Sequence, residues 1–474
     1  MSQQHSIHWF RQDLRCTDNP ALFAAATAGS VLPLYHLETP LSATDQIGGA
    51  GKTWLHHSLA ALNNALDHKL CLTHGSIETV LPALLDQYNI TAVYWNHCPE
   101  PWRFKQDAQL KQSLEANGIN VHIYNGSYLW NATDVNKDDG TPYRVFTPFY
   151  RKGCLNAATP REPLPTAVPS QWIDATDSSC PLDQLQLLPS QDWHKPMLSE
   201  WNPGEAGAHT QLTRFIEQGI HHYKEGRNFP AQPYVSRLSP HLHWGELSPN
   251  QAWYAVEETA SSKDIDHFRS ELGWREFSAY LLHHNPDLQQ TNLQPKFNRF
   301  PWNENPDHLT AWQNGQTGIP IVDAGMRELY QTGYMHNRVR MIVGSFLVKN
   351  LRLHWKHGEA WFRDCLLDAD HANNSASWQW IAGCGADAAP YFRIFNPISQ
   401  SEKFKAAPYI RRFVPELAQL DDKHIHEPST APALILAAAG VKLGENYPKP
   451  VVGLKASREK ALEAYQQLKA RNQA

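Results

Sequence analysis

Five short apolar runs separated by helical stretches fill the first 130 residues, and this alternation constrains the fold more than any other feature of the chain. The runs are Ile7 to Phe10, Val31 to Leu37, Leu70 to His74, Ala92 to Asn96 and Val121 to Tyr124. Their lengths suit buried strands and are too short for helices. Between them, Asp18 to Ala28 reads as a helix with Asp18 or Asn19 as cap, Pro20 in its first turn and Gly29 as its stop. Thr53 to Leu66, Ile77 to Gln87 and Trp102 to Asn117 read as the other helices. Strands joined through helices pair in parallel, so residues 1–130 predict an α/β doubly wound parallel-sheet domain.

The rest of the chain is written differently. Gly153 to Gly204 is rich in Pro, Ser, Asp and Gln, and residues 131–206 read as an interdomain linker. From 207 to 474 the spacing is helical: Glu205 to Gly219, Ser248 to Ala260, Ile265 to His284, Pro320 to Gln331, His336 to Asn350, Trp355 to Leu366 and Ser457 to Ala470. A mostly α-helical second domain follows. No run of about eighteen apolar residues exists, and MSQQHSIHWF lacks a basic-then-apolar signal layout. A cytoplasmic monomer without a membrane partner is the expectation. Seven scattered cysteines with no CxxC pair argue against a disulfide framework, a zinc site or an iron-sulfur cluster. No GxGxxG follows a strand, and Gln46 to Thr53 imitates a P-loop without its first glycine.

Asp368 to Pro397 is the densest chemical segment. It holds Asp368, Asp370, Asn373, Asn374 and Gln379, which interrupt every candidate apolar face, beside Trp378, Trp380, Tyr391, Phe392 and Phe395. An ordinary core helix is not written this way. Buried polar groups need partners, and a polar heterocycle with several donors and acceptors supplies them. The net charge of −5 hides an asymmetry: Tyr334 to Arg412 carries an excess of +5, leaving −10 on the remainder. A basic stretch on an acidic protein fits a DNA footprint.

Long motifs now matter: WFRQDLRCTDNPAL from Trp9, SRLSPHLHWGELSP from Ser236, ELGWREF from Glu271, TGIPIVDAGMREL from Thr317 and YMHNRVRMIVGSFLVK from Tyr334. With the 368–397 segment they resemble the photolyase and cryptochrome family, specifically the photolyases that repair cyclobutane pyrimidine dimers. The resemblance implies FAD as cofactor and ultraviolet-damaged DNA as partner. It also implies a second antenna chromophore near Gly48 to Lys52, Glu100 and Trp102, with methenyltetrahydrofolate ahead of a deazaflavin.

By the same resemblance Tyr223, Ser236, Arg237, Leu238 and Ser239 hold the FAD phosphates, although Val235 stands where many relatives carry threonine. Read alone, that turn is also a helix cap with a surface arginine. Arg340, Asp368 and Asp370 correspond to residues beside the flavin ring, and Asn374 to the group facing flavin N5. A neutral amide at that place favours repair over signalling. Trp378, Trp355 and Trp302 match a tryptophan chain that carries electrons inward from the surface. Any one of them by itself reads as core. Glu271 and Trp274, one helical turn apart, and Trp380 would enclose a flipped dimer, with Asn337, Arg338 and Met341 alongside. Arg275, Arg393 and Lys403 are further phosphate candidates, each read equally well as a solvated charge. Met341 disfavours the photolyases for six-four photoproducts, which use histidines at the lesion, while His336 keeps that alternative open. The alternative from another class is a cryptochrome, a blue-light receptor that does not repair.

Overall fold

The structure, a computed structural model, describes residues 4–39, 42–257 and 259–471. All five expected strands form: β1 (Gln4–Phe10), β2 (Gly29–Glu38), β3 (Cys71–Gly75), β4 (Ala92–Asn96) and β5 (Asn120–Tyr124). They pair in parallel in the order β3-β2-β1-β4-β5. The helices between them are α1 (Pro20–Ala28), α2 (Gly49–Ala65), α3 (Ile77–Gln87) and α4 (Pro101–Ala116). The P-loop-like segment is simply the first turn of α2, and no strand leads directly into it.

Alternation along the strands sorts side chains to opposite faces. Ile7, Trp9, Leu32, Leu34, Val93 and Trp95 fill one core layer, and Phe10, Val31, Tyr35, Ala92 and Tyr94 another with Trp54, Leu55 and Leu59 of α2. Asn19 is the cap of α1, accepting from the Leu22 N–H. Gly29 is obligatory where α1 meets β2, since a Cβ there would sit 2.3 Å from the Gln4 carbonyl oxygen. Buried Arg11 forms a two-pronged pair with Asp107 at 2.6 and 2.8 Å, which fastens α4 to the end of β1.

The segment read as a linker is packed. Ala167, Leu185, Leu187 and Met197 are buried in the α2 side of the core, and Trp172 bridges Val31 as a parallel neighbour. Its apolar residues are irregularly spaced, so composition alone concealed them.

The chain divides into two compact units, one of Met1–His221, Ser236–Pro286 and Leu367–Ala372, the other of His222–Val235, Asp287–Leu366 and Asn373–Ala474. The longer helices after the sheet are α5 (Glu205–Gln218), α6 (Pro249–Ala255), α7 (Ser262–His284), α8 (Pro306–Gln313), α9 (Pro320–Thr332), α10 (Asn337–Ser345), α11 (Trp355–Cys365), α12 (His371–Ala382) and α13 (Leu454–Arg471). Two expectations need correcting. The helix expected over Ser248–Ala260 stops at Ala255, and the one expected over His336–Asn350 widens after Ser345 into a π-helical turn, Phe346–Asn350. The polar segment at 368–397 also contains a true helix, α12, which periodicity did not reveal. Among the described residues no helix is long and apolar enough to cross a membrane.

Glu276 of α7 supplies a test of the first unit. Its buried carboxyl accepts the Leu129 and Trp130 N–H groups at 3.1 and 3.4 Å through one oxygen, and burial pushes its pKa from 4.5 up to about 7, with Arg275 and both N–H groups opposing. Between those values the folded state holds a proton that the unfolded state has released, so this group's stabilisation is lost as pH rises from 4.5 through 7. Glu276→Gln should therefore raise stability at pH 8 by up to about 3 kcal/mol and change little at pH 4. Thermal unfolding across pH checks this; an unchanged melting temperature at pH 8 contradicts it.

Candidate active site

In the first unit the Ser236 to Ser239 turn is shaped by its own polar groups. Ser236 Oγ accepts from the Leu238 N–H at 3.4 Å, Gln211 holds the Ser236 carbonyl at 2.7 Å, and Ser239 opens a short helix. Arg237 takes a left-handed φ of 51°. Its guanidinium lies 3.2 Å from Glu200 and 4.2 Å over Trp201, so its charge is already answered within the unit. Asp368 and Asp370 are buried, with Asp370 3.9 Å from His243. The Trp244 indole N–H fixes the backbone just ahead of them by donating to the Leu367 carbonyl at 3.1 Å.

Helix α7 presents Glu271 and Trp274 one turn apart, as the spacing predicted. Glu271 lies 3.8 Å from His267, and the Trp274 ring stacks on Phe146 at 3.8 Å and 10°. Arg275 is different. It donates to the Ser127 and Leu242 carbonyls at 2.6 and 3.3 Å and covers the Tyr128 ring at 4.5 Å. That guanidinium works as an internal tie, and the geometry lends nothing to a phosphate role.

The second unit gathers the remaining candidates. Tyr223 is buried with Arg227 5.6 Å over its ring, and Arg340 donates through Nε to the Met335 carbonyl at 2.7 Å. At the start of α10, exposed Asn337 precedes Arg338, which bonds to Asn228, reaches Met341 Sδ at 3.4 Å and covers the Phe404 ring at 4.7 Å. Arg338 and Met341 therefore do share a face. His336 caps α10, its Nδ1 accepting the Arg338 N–H at 3.1 Å, and burial among Arg227, Arg338 and Arg340 lowers its pKa to about 3. A histidine so used stays neutral, which weakens the six-four alternative. Trp380 is half-buried and makes no ring contact among the described residues. Arg393 is exposed, and its carbonyl accepts from Lys349 at 2.8 Å. Lys349 belongs to the stretch read as basic, yet it is buried, with a pKa lowered by burial to about 8. It adds nothing to a surface footprint. Lys403 rests 5.3 Å over Phe404.

On α12, Asn374 donates through its amide nitrogen to the Glu359 carbonyl at 2.9 Å and to the Glu359 carboxyl at 3.2 Å. A backbone carbonyl only accepts, so the amide orientation is set and its oxygen is left to accept from elsewhere. Glu359 was not anticipated, and its place in an amphipathic helix gave no signal. Burial pushes its carboxyl up, opposed by Arg363 and Asn374. Gln379 turned out to serve the protein, donating to the Leu288 and Thr291 carbonyls at 2.7 and 2.8 Å.

The three expected tryptophans of the electron chain are all in this unit. Trp378 lies against Gly358 of α11 and meets Phe362 at 4.9 Å and Trp312 of α8 at 6.1 Å. Gly358 is one helical turn after Trp355, so α11 carries both the bed of one indole and the next indole. Trp355 is fully buried and Trp302 half-buried.

Some buried polar atoms make no hydrogen bond among the described residues: His243 Nδ1 in the first unit, and Ser345 Oγ and Ser375 Oγ in the second. Such atoms cost about 1–3 kcal/mol each when left dry. Within the second unit, Ser345 Oγ, Ser375 Oγ and the Asn374 oxygen suit a ligand with donors and acceptors. The chain's relatives point to the same kind of ligand. Residues 268–467 match the FAD binding domain of DNA photolyase, and residues 6–170 match DNA photolyase. The chain is 46% identical to the deoxyribodipyrimidine photo-lyase of Agrobacterium fabrum over 98% of both chains. It is 36% identical to cryptochrome-1 of Arabidopsis thaliana over 98% of this chain and 70% of that one. A class III photolyase from Agrobacterium tumefaciens superposes with a TM-score of 0.94 at 45% identity, over 99% of this chain and 98% of that one. The chain belongs to the photolyase and cryptochrome family.

Gly358→Ala tests the packing of the inner indole. A Cβ there would fall 2.1 Å from Trp378, so the substitution should cost about 1–3 kcal/mol. Chemical denaturation measures this; wild-type stability would show that the indole is not so confined.

Proposed function

We propose that the chain is a DNA photolyase that reverses cyclobutane pyrimidine dimers in light, with FAD as cofactor. When bound and reduced, FAD supplies on absorbing blue or near-ultraviolet light the electron that opens the cyclobutane ring, and the electron returns afterwards. The protein positions and polarises. Ser236, Leu238 and Ser239 offer hydroxyl and backbone donors for the cofactor phosphates, with Tyr223 and Arg237, while Arg340, Asp368 and Asp370 belong beside the ring. Glu271 hydrogen-bonds the polar edge of the dimer, Trp274 and Trp380 supply indole surface for it, and Met341 gives a soft apolar contact. Asn337, Arg338 and Arg393 meet DNA phosphates. Trp378, Trp355 and Trp302 would carry electrons inward to the cofactor when it is oxidised.

The observation that carries this reading is the locked amide of Asn374. Its nitrogen is committed to Glu359, so it turns a neutral acceptor toward the cofactor, and it has no acidic proton to give. That favours repair over the signalling chemistry of a cryptochrome.

Functionally, residues 1–130 serve the antenna and residues 207–474 serve FAD binding and repair, with residues 131–206 joining them as a packed connection. The protein acts as a cytoplasmic monomer on damaged DNA. A second pigment, methenyltetrahydrofolate ahead of a deazaflavin, occupies the first unit. Two features support it: the buried Glu100 Oε2 and Trp102 Nε1 lack hydrogen-bond partners, and a cavity of about 410 Å³ is lined by Tyr128, Trp130, Phe149, Tyr280, His283 and Glu276, whose Oε1 makes no hydrogen bond. An absorption spectrum before and after denaturation identifies what is released; FAD alone would remove the antenna and leave the repair reading intact.

Two outcomes test the repair reading. Protein with chemically reduced cofactor should bind dimer-containing DNA at least about tenfold more tightly than undamaged DNA, and equal affinity would end the proposal. Glu271→Ala should lower repaired dimers per absorbed photon with flavin content unchanged. Loss of flavin instead would assign Glu271 to the cofactor's support.

A further inference from the structure

A histidine ring stands against two of the candidate path's tryptophans. Trp355 opens α11 and donates its indole N–H to Asn292 Oδ1 at 2.9 Å. Trp302 is half-buried, and its indole N–H has no hydrogen-bond partner among the described residues. Among the described residues no ring contact joins Trp355 to Trp378, or Trp302 to Trp355. His354 stands between them, its ring 5.1 Å from that of Trp302 and 5.6 Å from that of Trp355. Both separations lie in the contact range of packed rings.

The charges around this trio are also asymmetric. His354 Nδ1 accepts the Lys356 N–H at 3.1 Å as the cap of α11, which leaves the neutral ring's proton on Nε2. Burial, followed by Lys356 and His357, lowers the pKa of His354 to about 4. The Lys356 ammonium lies 5.9 Å over the Trp355 ring, and among the described residues no cation covers Trp302. Positive charge is thus disfavoured on the inner indole relative to the outer one.

We infer that His354 is a positioning residue of the electron path, its imidazole bridging Trp302 and Trp355 for the outward step. The inference rests on the photolyase reading for its oxidant, a light-excited oxidised flavin. Trp355, a radical cation after yielding one electron by way of Trp378 to that oxidant, takes one electron from Trp302. Trp355 returns to its closed-shell form. Trp302, now the radical cation, releases its indole N–H proton to water and ends as a neutral radical. A protonated histidine at the bridge would oppose this step; the cap and burial keep it neutral.

Two substitutions separate the ring from the cap. His354→Asn keeps a first-rank capping group and removes the ring, whereas His354→Phe keeps a ring and removes the cap. Flash excitation of the purified holoprotein with oxidised flavin, followed by tryptophan-radical absorption, is the readout, with thermal unfolding alongside. His354→Asn should delay the rise of the Trp302 neutral radical about tenfold without lowering the melting temperature. His354→Phe should keep the wild-type rise and melt earlier. An undelayed rise in His354→Asn overturns the inference, as does an equal delay in His354→Phe, which would trace the effect to the cap. Dimer repair by dithionite-reduced wild type is a separate readout: its absence would sink the photolyase reading, while the radical kinetics alone judge His354.

Discussion

A primary amide buried beside a backbone carbonyl can point only one way, and the proposed site depends on that constraint at Asn374. The Glu359 carbonyl accepts from the amide nitrogen and the Glu359 carboxyl accepts from it a second time, so the oxygen is the group left to accept. Reversing the amide would set two oxygens against each other in a dry interior, where electrostatic errors are expensive. Helix α11 thereby does three things at once: Glu359 orients the amide, Gly358 beds Trp378, and Trp355 carries the next indole. The amide's partner and an indole of the proposed electron path are thus neighbours on one helix.

The sheet was legible because its evidence is local. Strands bounded by turn residues and helices with Asn19, Pro20 and Gly29 at their ends state their own limits, and β4 and α3 ended where spacing placed them. Long-range packing was not legible. Residues 131–206 looked like a connection because Ala167, Leu185, Leu187 and Met197 follow no period, although each is buried in the sheet's core. Helix α12 hid for a related reason: Gln379 is polar yet satisfied by the Leu288 and Thr291 carbonyls, so the helix could bury it without an apolar stripe.

At the site, one-turn pairs were the reliable signal, as Arg338 with Met341 shows. Charge counting was the weakest. Lys349 and Arg275 read as surface cations, and both hold internal carbonyls instead. A long basic side chain can serve backbone oxygens as readily as phosphates, and sequence does not say which. The partners of the site residues, Glu359 and His354 above all, were invisible for the same reason: a residue that orients another is defined by contact, not by its own chemistry.

The most direct measurement is the light-dependent disappearance of cyclobutane dimers from an irradiated oligonucleotide incubated with the protein in fully reduced form. The account predicts loss of dimers under blue or near-ultraviolet light, restored intact pyrimidines, and no loss in the dark. Dimers that persist in the light, with FAD bound and reduced, would contradict it and leave the chain a light receptor on the same scaffold.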